Sequence, residues 1–257
     1  MSFAITDLML LVERFLLPFI RLGALFVAAP FFGAVTVPVR VRIVLALAVT
    51  AILMPVLGDT VAVELLSADG LLLILQQVAV GLAMGLMLQF VVAAIVMAGH
   101  TIATAMGLGF ASSVDPQNGT QVTILGQFYL ILATLFFLAI DGHLRLLDLL
   151  AASFDVFPVA RYVLDAAMFQ EVVLYSAQMF VTGTLLALPV MIGVLLINVG
   201  FGVMTRAAPQ LNLFSIGFPM SMLGGFVLML LSLPIVMPVL GNAYDAVFTL
   251  LTSMFTR

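Results

Sequence analysis

Long apolar runs separated by short charged or polar turns dominate this sequence. From Gly70 to Val114 the chain has 45 consecutive residues without a charged side chain. Further uncharged intervals contain 18 residues between Arg21 and Arg40, 25 between Asp115 and Asp141, 34 between Glu171 and Arg206, and 38 between Arg206 and Asp245. About 20 apolar residues suffice for a helix to cross a bilayer. The pattern therefore predicts several helices that could span a membrane.

The apolar runs have the lengths and periodicity of helices rather than strands. They predict helices near residues 8–34, 41–57, 70–105, 122–140, 144–158, 168–205 and 213–250, with loops at 58–69, 115–121 and 206–212. Because the last two helices are joined by a short loop, they are expected to form a helical hairpin. The predicted fold class is all-α: an integral membrane protein of long, kinked helices and helical hairpins, with one irregular glycine-rich loop.

Several of the eleven prolines fall inside or at the ends of these apolar runs. They are Pro18, Pro30, Pro55, Pro189, Pro219, Pro234 and Pro238. Proline removes a backbone donor and tends to kink or end a helix. Broken helices are therefore expected, with neighbouring protein satisfying the freed carbonyl groups.

The longest uncharged run has to turn near its end. As one helix its 45 residues would reach about 65–70 Å, roughly twice the thickness of a bilayer core. Its last part contains Gly107 and Gly109, and the turn signals Asp115-Pro116 and Asn118-Gly119 follow directly. Irregular apolar backbone is tolerated at membrane depth only where protein buries it or where it lines a cavity. This stretch therefore indicates a channel or gate element.

Composition places the chain among membrane proteins and excludes several functions. It is 65% hydrophobic and 8% charged, with a mean hydropathy of +1.34, whereas soluble domains are about 25% charged. The net charge of −4 argues against nucleic acid as a partner. The chain has no cysteine and two histidines, so we expect no metal site and no cofactor. Phosphate-binding loops and hydrolase motifs are absent from the sequence, which indicates that it is not an enzyme.

One face of the third predicted helix carries a small-residue pattern. Gln77, Gly81, Gly85 and Gln89 recur every four residues. Glycines at this spacing allow two helix backbones to approach closely, and the amides can bond across the contact. The partner helix could belong to the same chain or to another subunit.

Arg21 is an intramembrane charge in an otherwise apolar segment. An unpaired arginine at the centre of a bilayer costs about 2.5–3.5 kcal/mol on insertion scales. The sequence therefore predicts a carboxylate or carbonyl partner, or a shallow position in the bilayer. A structural ion pair with another helix is favoured over a ligand site.

A second charged cluster surrounds Asp141. Asp141, His143, Arg145 and Asp148 could form a proton relay. We favour a structural role, in which Asp141 caps a helix and Arg145 pairs with Asp141 or Asp148 at helical spacing.

Taken together and in order, five blocks of sequence resemble the FliR family of flagellar type III export proteins. They are Phe19–Leu25 with Ala29-Pro30, Val37–Arg42, Met106–Ala111 with Val114–Pro116, Asp141–His143, and Arg206–Asn212 with Gly217–Pro219. The resemblance covers essentially the whole chain, and its last block, with Arg206, Pro209, Gln210 and Asn212 in the hairpin loop, is the most specific.

The resemblance implies a core subunit of the flagellar protein export gate. Such a subunit is multi-pass in the bacterial inner membrane at the flagellar basal body, and assembles with FliP-type and FliQ-type subunits into a helical pore for unfolded rod, hook and filament proteins. FlhB-type and FlhA-type export components and membrane lipids are further implied partners. Residues 1–165 would be a FliP-like part, and residues 166–257 a FliQ-like hairpin.

The resemblance also implies a pore plug at about residues 106–121. Its residues are Met106, Gly107, Leu108, Gly109, Phe110, Ser112, Ser113, Asp115, Pro116, Asn118 and Gly119. Phe110 matches the aromatic plug position of the family, whereas Ser112 and Ser113 stand where relatives can carry a second aromatic residue.

Two other functions remain open at this point. Export gate subunits of virulence injectisomes share the expected architecture. A secondary transporter also uses discontinuous helices, but it should show two related halves.

Overall fold

The computed structural model describes residues 5–34, 37–55, 57, 67–108, 123–159, 163, 166–208 and 216–255, with the backbone alone for residues 5–13. All regular secondary structure in these residues is helical. In chain order the helices are α1 (Ile5–Ala28), α2 (Val39–Leu53), α3 (Ala68–Ala105), α4 (Ile124–Ala139), α5 (Gly142–Val156), α6 (Ala166–Ala207) and α7 (Phe218–Phe255).

The helices follow the predicted apolar runs closely, and the all-α membrane class is confirmed. Helices α3, α6 and α7 contain 38, 42 and 38 residues and are long and apolar enough to cross a membrane. The pair α4 and α5 would add a fourth span if it is counted as one broken helix. The largest difference is in α1, which ends at Ala28, before Pro30, rather than near residue 34.

The expected helix breaks do not occur at four of the prolines. Pro18 lies inside α1, Pro189 inside α6, and Pro234 and Pro238 inside α7, and each helix continues through them. A long helix loses only one backbone hydrogen bond at each proline, and its remaining ladder and its packing can keep it continuous.

The chain folds as two compact units, each assembled from separate stretches of sequence. The first contains Met1–Phe90, Asp141–Ser176 and Asp245–Arg257, and the second contains Val91–Ile140 and Ala177–Tyr244. Leu22, Leu25, Phe26, Met84 and Leu88 are fully buried in the first unit. Ile95, Tyr129, Phe137, Val194 and Tyr244 are fully buried in the second.

Candidate functional site

The predicted turn at the end of the long uncharged run is present, and it stops α3 at Ala105. The Leu108 N–H donates to Ala103 O at 2.9 Å, and the Gly107 N–H donates to Thr104 O at 3.0 Å. Gly107 has φ 80°, the left-handed conformation that favours glycine. This pair of hydrogen bonds is a Schellman motif with glycine at the C′ position. The first glycine of the predicted plug is therefore the residue that ends the helix.

The same turn is held against α7 within the second unit. Met106 is fully buried. A Cβ atom on Gly225 would lie 2.8 Å from the Met106 sulfur, and one on Gly107 would lie 2.5 Å from the Phe218 ring. Because a neighbouring side chain occupies the space beside each glycine, a larger residue at position 107 or 225 would require Phe218 or Met106 to shift. The described start of the predicted plug segment is thus an anchored turn.

The far side of this segment is also fixed. Thr123 is the N-cap of α4, and its side chain accepts a hydrogen bond from the Gly126 N–H at 3.1 Å. Gly99 of α3 packs directly on this first turn, because a Cβ atom there would lie 2.8 Å from both Leu125 O and Gly126 Cα. Helices α3 and α4 therefore meet beside the second end of the segment.

The remaining predicted plug residues lie outside the described residues. They are Gly109, Phe110, Ser112, Ser113, Asp115, Pro116, Asn118 and Gly119. Only Met106, Gly107 and Leu108 of the predicted set are placed, so the plug itself stays a prediction.

An apolar pocket of about 260 Å³ lies beside the last residue of α3. Ala105 lines it from α3, and Leu188, Ile192, Leu195 and Asn198 line it from α6. Its walls carry methyl groups and a single amide side chain, so it offers van der Waals contact to apolar groups and no acid, base or nucleophile.

Helices α6 and α7 form the antiparallel pair that the sequence predicts. A Cβ atom on Gly193 would meet the Leu228 side chain, and one on Gly224 would meet Ile197. The Ser221 hydroxyl donates to the Asn198 side-chain oxygen. The residue numbers in these contacts rise on one helix as they fall on the other, as an antiparallel pair requires. Of the hairpin-loop residues, Arg206 is exposed in the last turn of α6, and Pro209, Gln210 and Asn212 lie outside the described residues.

The small-residue face of α3 packs on α1 of the same chain. A Cβ atom on Gly81 would lie 2.9 Å from the Ala24 methyl group, and one on Gly85 would lie 2.8 Å from the Ala29 nitrogen. Contacts advance along both helices together, so α1 and α3 run parallel where they meet. The glycines therefore serve an intramolecular contact. Gln77 is fully buried, and Gln89 is half-buried at the end of this face.

Arg21 is fully buried, and its described partners are all neutral. Its Nε donates to Gln77 Oε1 at 2.7 Å and its Nη1 to Ser153 Oγ at 2.9 Å, while Nη2 donates to Phe157 O. The guanidinium carbon lies 3.9 Å from the centre of the Phe154 ring. The prediction of an ion pair is wrong for the described residues. Oxygen atoms from α3 and α5 and an aromatic face take the place of a carboxylate.

The cluster around Asp141 also differs from expectation. Asp141 occupies the N-cap position of α5 with φ 55°, but its side chain caps no N–H group. Arg145 forms its ion pair with Asp245 of α7, Nη1 to Oδ1 at 3.0 Å, rather than with Asp141 or Asp148. In the left-handed conformation Asp141 offers its backbone oxygen to the N–H groups of Leu144 and Arg145. Asp141 thus stands at the predicted N-cap position, but the predicted partners of Asp141 and Arg145 are not the ones found among the described residues.

Sequence reasoning did not identify Ser153 and the carbonyl group of Phe157 as partners of Arg21, and it did not single out Gln76, which bonds Pro158 and Val163 nearby. The adjacent amides Gln76 and Gln77, inside a run of apolar residues, were the available signal. Within the described part of the chain, no group of three or more His, Asp or Glu side chains could hold a metal ion.

Comparisons with known proteins agree with this architecture. The family described as "Bacterial export proteins, family 1" matches residues 12–247. The flagellar biosynthetic protein FliR of Pectobacterium carotovorum subsp. carotovorum is 35% identical over all of this chain and 98% of its own length. FliR of Escherichia coli (strain K12) is 34% identical over 93% of this chain and 92% of its own, and FliR of Bacillus subtilis (strain 168) is 30% identical over 91% and 92%. The chain therefore belongs to family 1 of the bacterial export proteins, the FliR family.

Proposed function

We propose that this chain is a subunit of the flagellar type III export gate. In this role it assembles with FliP-type and FliQ-type subunits in the bacterial inner membrane and contributes to a pore for unfolded flagellar proteins. Membership of the FliR family supports the flagellar role. FlhB-type and FlhA-type export components would act beside the same pore.

The observation that carries assembly with other subunits is the length of the exposed apolar surface on α6. Exposed apolar side chains extend from Phe169, through Leu185 and Leu196, to Met204. These 36 residues of helix reach about 53 Å, and the hydrocarbon core of a bilayer is about 30 Å thick. Even at a tilt of 40°, near the upper end of the range for membrane helices, about 40 Å remains. Lipid chains can cover only part of this surface, so the rest requires protein.

The long helices also differ in how far the chain itself buries them, and this difference supports assembly with other subunits. The most apolar window of α3 is 61% buried by the chain itself, whereas those of α6 and α7 are each 28% buried. In a pore assembled from several subunits, α3 would belong to the interior of this subunit. Helices α6 and α7 would present the surface on which neighbouring subunits pack.

The gating part of the proposal concerns residues 106–121. The anchored turn at Gly107 and the capped start of α4 hold the two ends of this segment in place, which supports a role as a fixed obstruction across a pore. An apolar constriction blocks ions by excluding water, so no charged group or metal is needed for closure.

Assembly is tested by coexpressing the tagged chain with its FliP-type and FliQ-type neighbours, purifying it in mild detergent and measuring the mass of the native complex. We expect a stable hetero-oligomer. A chain that is recovered folded but alone, as a monomer or homodimer, would contradict the proposal and favour a transporter.

Gating is tested by replacing residues 109–121 with a glycine–serine segment of equal length, which leaves Leu108 and Thr123 in place. We expect the assembled complex to leak ions when it is reconstituted in vesicles. Phe110→Ala should leak to a smaller extent, and Phe128→Ala, which removes an exposed aromatic side chain of α4, should not leak. An assembled replacement variant with unchanged permeability would rule out the plug.

A further inference from the structure

The connection between α5 and α6 is held by side chains from two other helices. Arg21 of α1 donates to the carbonyl oxygen of Phe157. Gln76 of α3 reaches the same connection twice: its Nε2 donates to Pro158 O at 3.1 Å, and its Oε1 accepts the Val163 N–H at 2.7 Å. These contacts all lie within the first compact unit.

The burial of this connection explains why it needs side-chain partners. Phe157 and Val159 are 7% and 5% exposed, and Arg21 and Gln76 are fully buried. Buried backbone N–H and C=O groups that are not in a helix must find other hydrogen-bond partners. Phe157 also packs its ring on Phe255, with centroids 6.1 Å apart. The described part of the connection is thus an element of the core rather than a surface loop.

The residue types match this task. Glutamine carries a donor and an acceptor on one side chain, so Gln76 can bond a carbonyl group before the connection turns and an N–H group after it. An ionised glutamate could not donate to Pro158 O, and leucine could bond neither group. Arg21 is oriented by its bonds to Gln77 and Ser153, which leaves Nη2 directed at Phe157 O.

We propose that Arg21 and Gln76 are positioning residues that clamp Phe157, Pro158 and Val163 onto α1 and α3. The clamp makes the connection between α5 and α6 rigid. The sequence predicts a boundary between an N-terminal part and a C-terminal hairpin at this connection, where a flexible linker would otherwise be expected. By holding Val163, three residues before α6, the clamp fixes the position in space at which α6 starts. This inference holds whether or not the chain gates protein export.

The clamp can be tested by thiol labelling, because the chain has no cysteine of its own. Val159→Cys places a single buried thiol in the connection, and Val190→Cys places a control thiol in the buried part of α6. The full-length chain, coexpressed with its gate subunits and extracted in mild detergent, is treated with a maleimide. With the clamp intact, labelling at position 159 should be slow.

Adding Gln76→Leu or Arg21→Met to Val159→Cys should accelerate labelling at least tenfold, while labelling at position 190 stays within twofold. Gln127→Leu, the same substitution at an exposed glutamine of α4, should change neither rate. If Gln76→Leu prevents folding, Gln76→Glu retains an acceptor for Val163 and should give a smaller acceleration. Equal rates in the parent and in the Gln76 variants would overturn the clamp, as would equal acceleration at positions 159 and 190.

Loss of the clamp and failure of the export role are distinguishable. Labelling at position 159 that is slow in the parent and rapid in the Gln76→Leu variant supports the clamp, provided that the complex keeps its normal subunit composition. This conclusion does not depend on ion permeability. Slow labelling in every variant overturns the clamp while leaving the vesicle leak test unaffected.

Discussion

Arg21 and Arg145 each place the guanidinium group over an aromatic ring, but their hydrogen-bond and ion-pair partners differ. Their guanidinium carbons lie 3.9 Å and 4.4 Å from the ring centres of Phe154 and Phe248. Arg145 pairs with Asp245, and the two side chains are 48% and 65% exposed. Arg21 is fully buried and bonds only neutral oxygens among the described residues.

The two arginines carry the same charge, so the difference lies in their burial. Burial decides how many elements of the protein must supply hydrogen-bond acceptors to the guanidinium group. An exposed guanidinium can leave some donors to water, so one carboxylate is enough for Arg145. A buried guanidinium needs protein acceptors around it, and Arg21 finds them on α3, on α5 and just after α5. The positions of these elements are therefore coupled through one side chain.

The largest expected effect comes from removing the buried arginine. Arg21→Met should destabilise the folded chain by about 3–5 kcal/mol, because three buried acceptors lose their donor. The measurement is the midpoint of thermal unfolding in detergent, followed by circular dichroism. Arg145→Met should lower the midpoint much less, and equal losses in the two variants would contradict the comparison.

The next effect concerns the helix contact that brings Arg21 to Gln77. Gly85→Ala should cost about 1–3 kcal/mol, because the new methyl group would lie 2.8 Å from the Ala29 nitrogen and force α1 and α3 apart. Gly23→Ala is the matched control, since no atom lies within 4 Å of the corresponding Cβ position. Alanine at position 23 should leave stability unchanged or raise it slightly. A similar response from both variants in thermal unfolding would refute the close contact.

A smaller effect is expected from removing one acceptor of Arg21. Ser153→Ala should cost about 1–2 kcal/mol, because Nη1 loses a buried partner while Nε and Nη2 keep theirs. Ser176→Ala is the control, because its hydroxyl donates only to Val173 O of its own helix among the described contacts. Chemical unfolding in detergent measures the difference, which should vanish in an Arg21→Met background. A persistent difference there would show that Ser153 acts independently of Arg21.

The smallest effect is expected at the exposed pair. Asp245→Asn should change stability by about 0–1 kcal/mol, as is typical of exposed ion pairs. The contribution of the pair should fall further at 1 M salt, whereas the contribution of Arg21 should stay constant. Thermal unfolding at low and high salt checks both statements, and a salt-sensitive Arg21 variant would show that water reaches the buried site.

The sequence predicts the helices well because long apolar runs leave few alternatives. It also identifies Gly107 as part of a turn, since two glycines and two turn dipeptides end the longest run. Gly81 and Gly85 were recognised as a contact surface, but only the structure shows that α1 of the same chain covers it. The spacing of small residues identifies the helix face that makes a contact, but it does not identify the helix that packs against that face.

Partners distant in sequence could not be predicted. Arg21 bonds Ser153 across 132 positions, and Arg145 bonds Asp245 across 100. Local spacing pointed instead to Asp141 and Asp148, because pairs within one helix are the only ones that periodicity can propose. Hydropathy likewise could not separate α3 from α6, since burial by the chain, by lipid and by other subunits all require apolar residues.

The anchored turn at Gly107 and the capped start of α4 limit how far the segment between Leu108 and Thr123 can reach. Fully extended, its 15 peptide steps span about 50 Å. Because both ends are anchored, no residue of the segment can lie more than about 25 Å from the nearer anchor. In the proposed plug, any movement that clears a path for an exported chain is therefore limited to this distance, and lengthening the segment would extend its reach without altering either anchor.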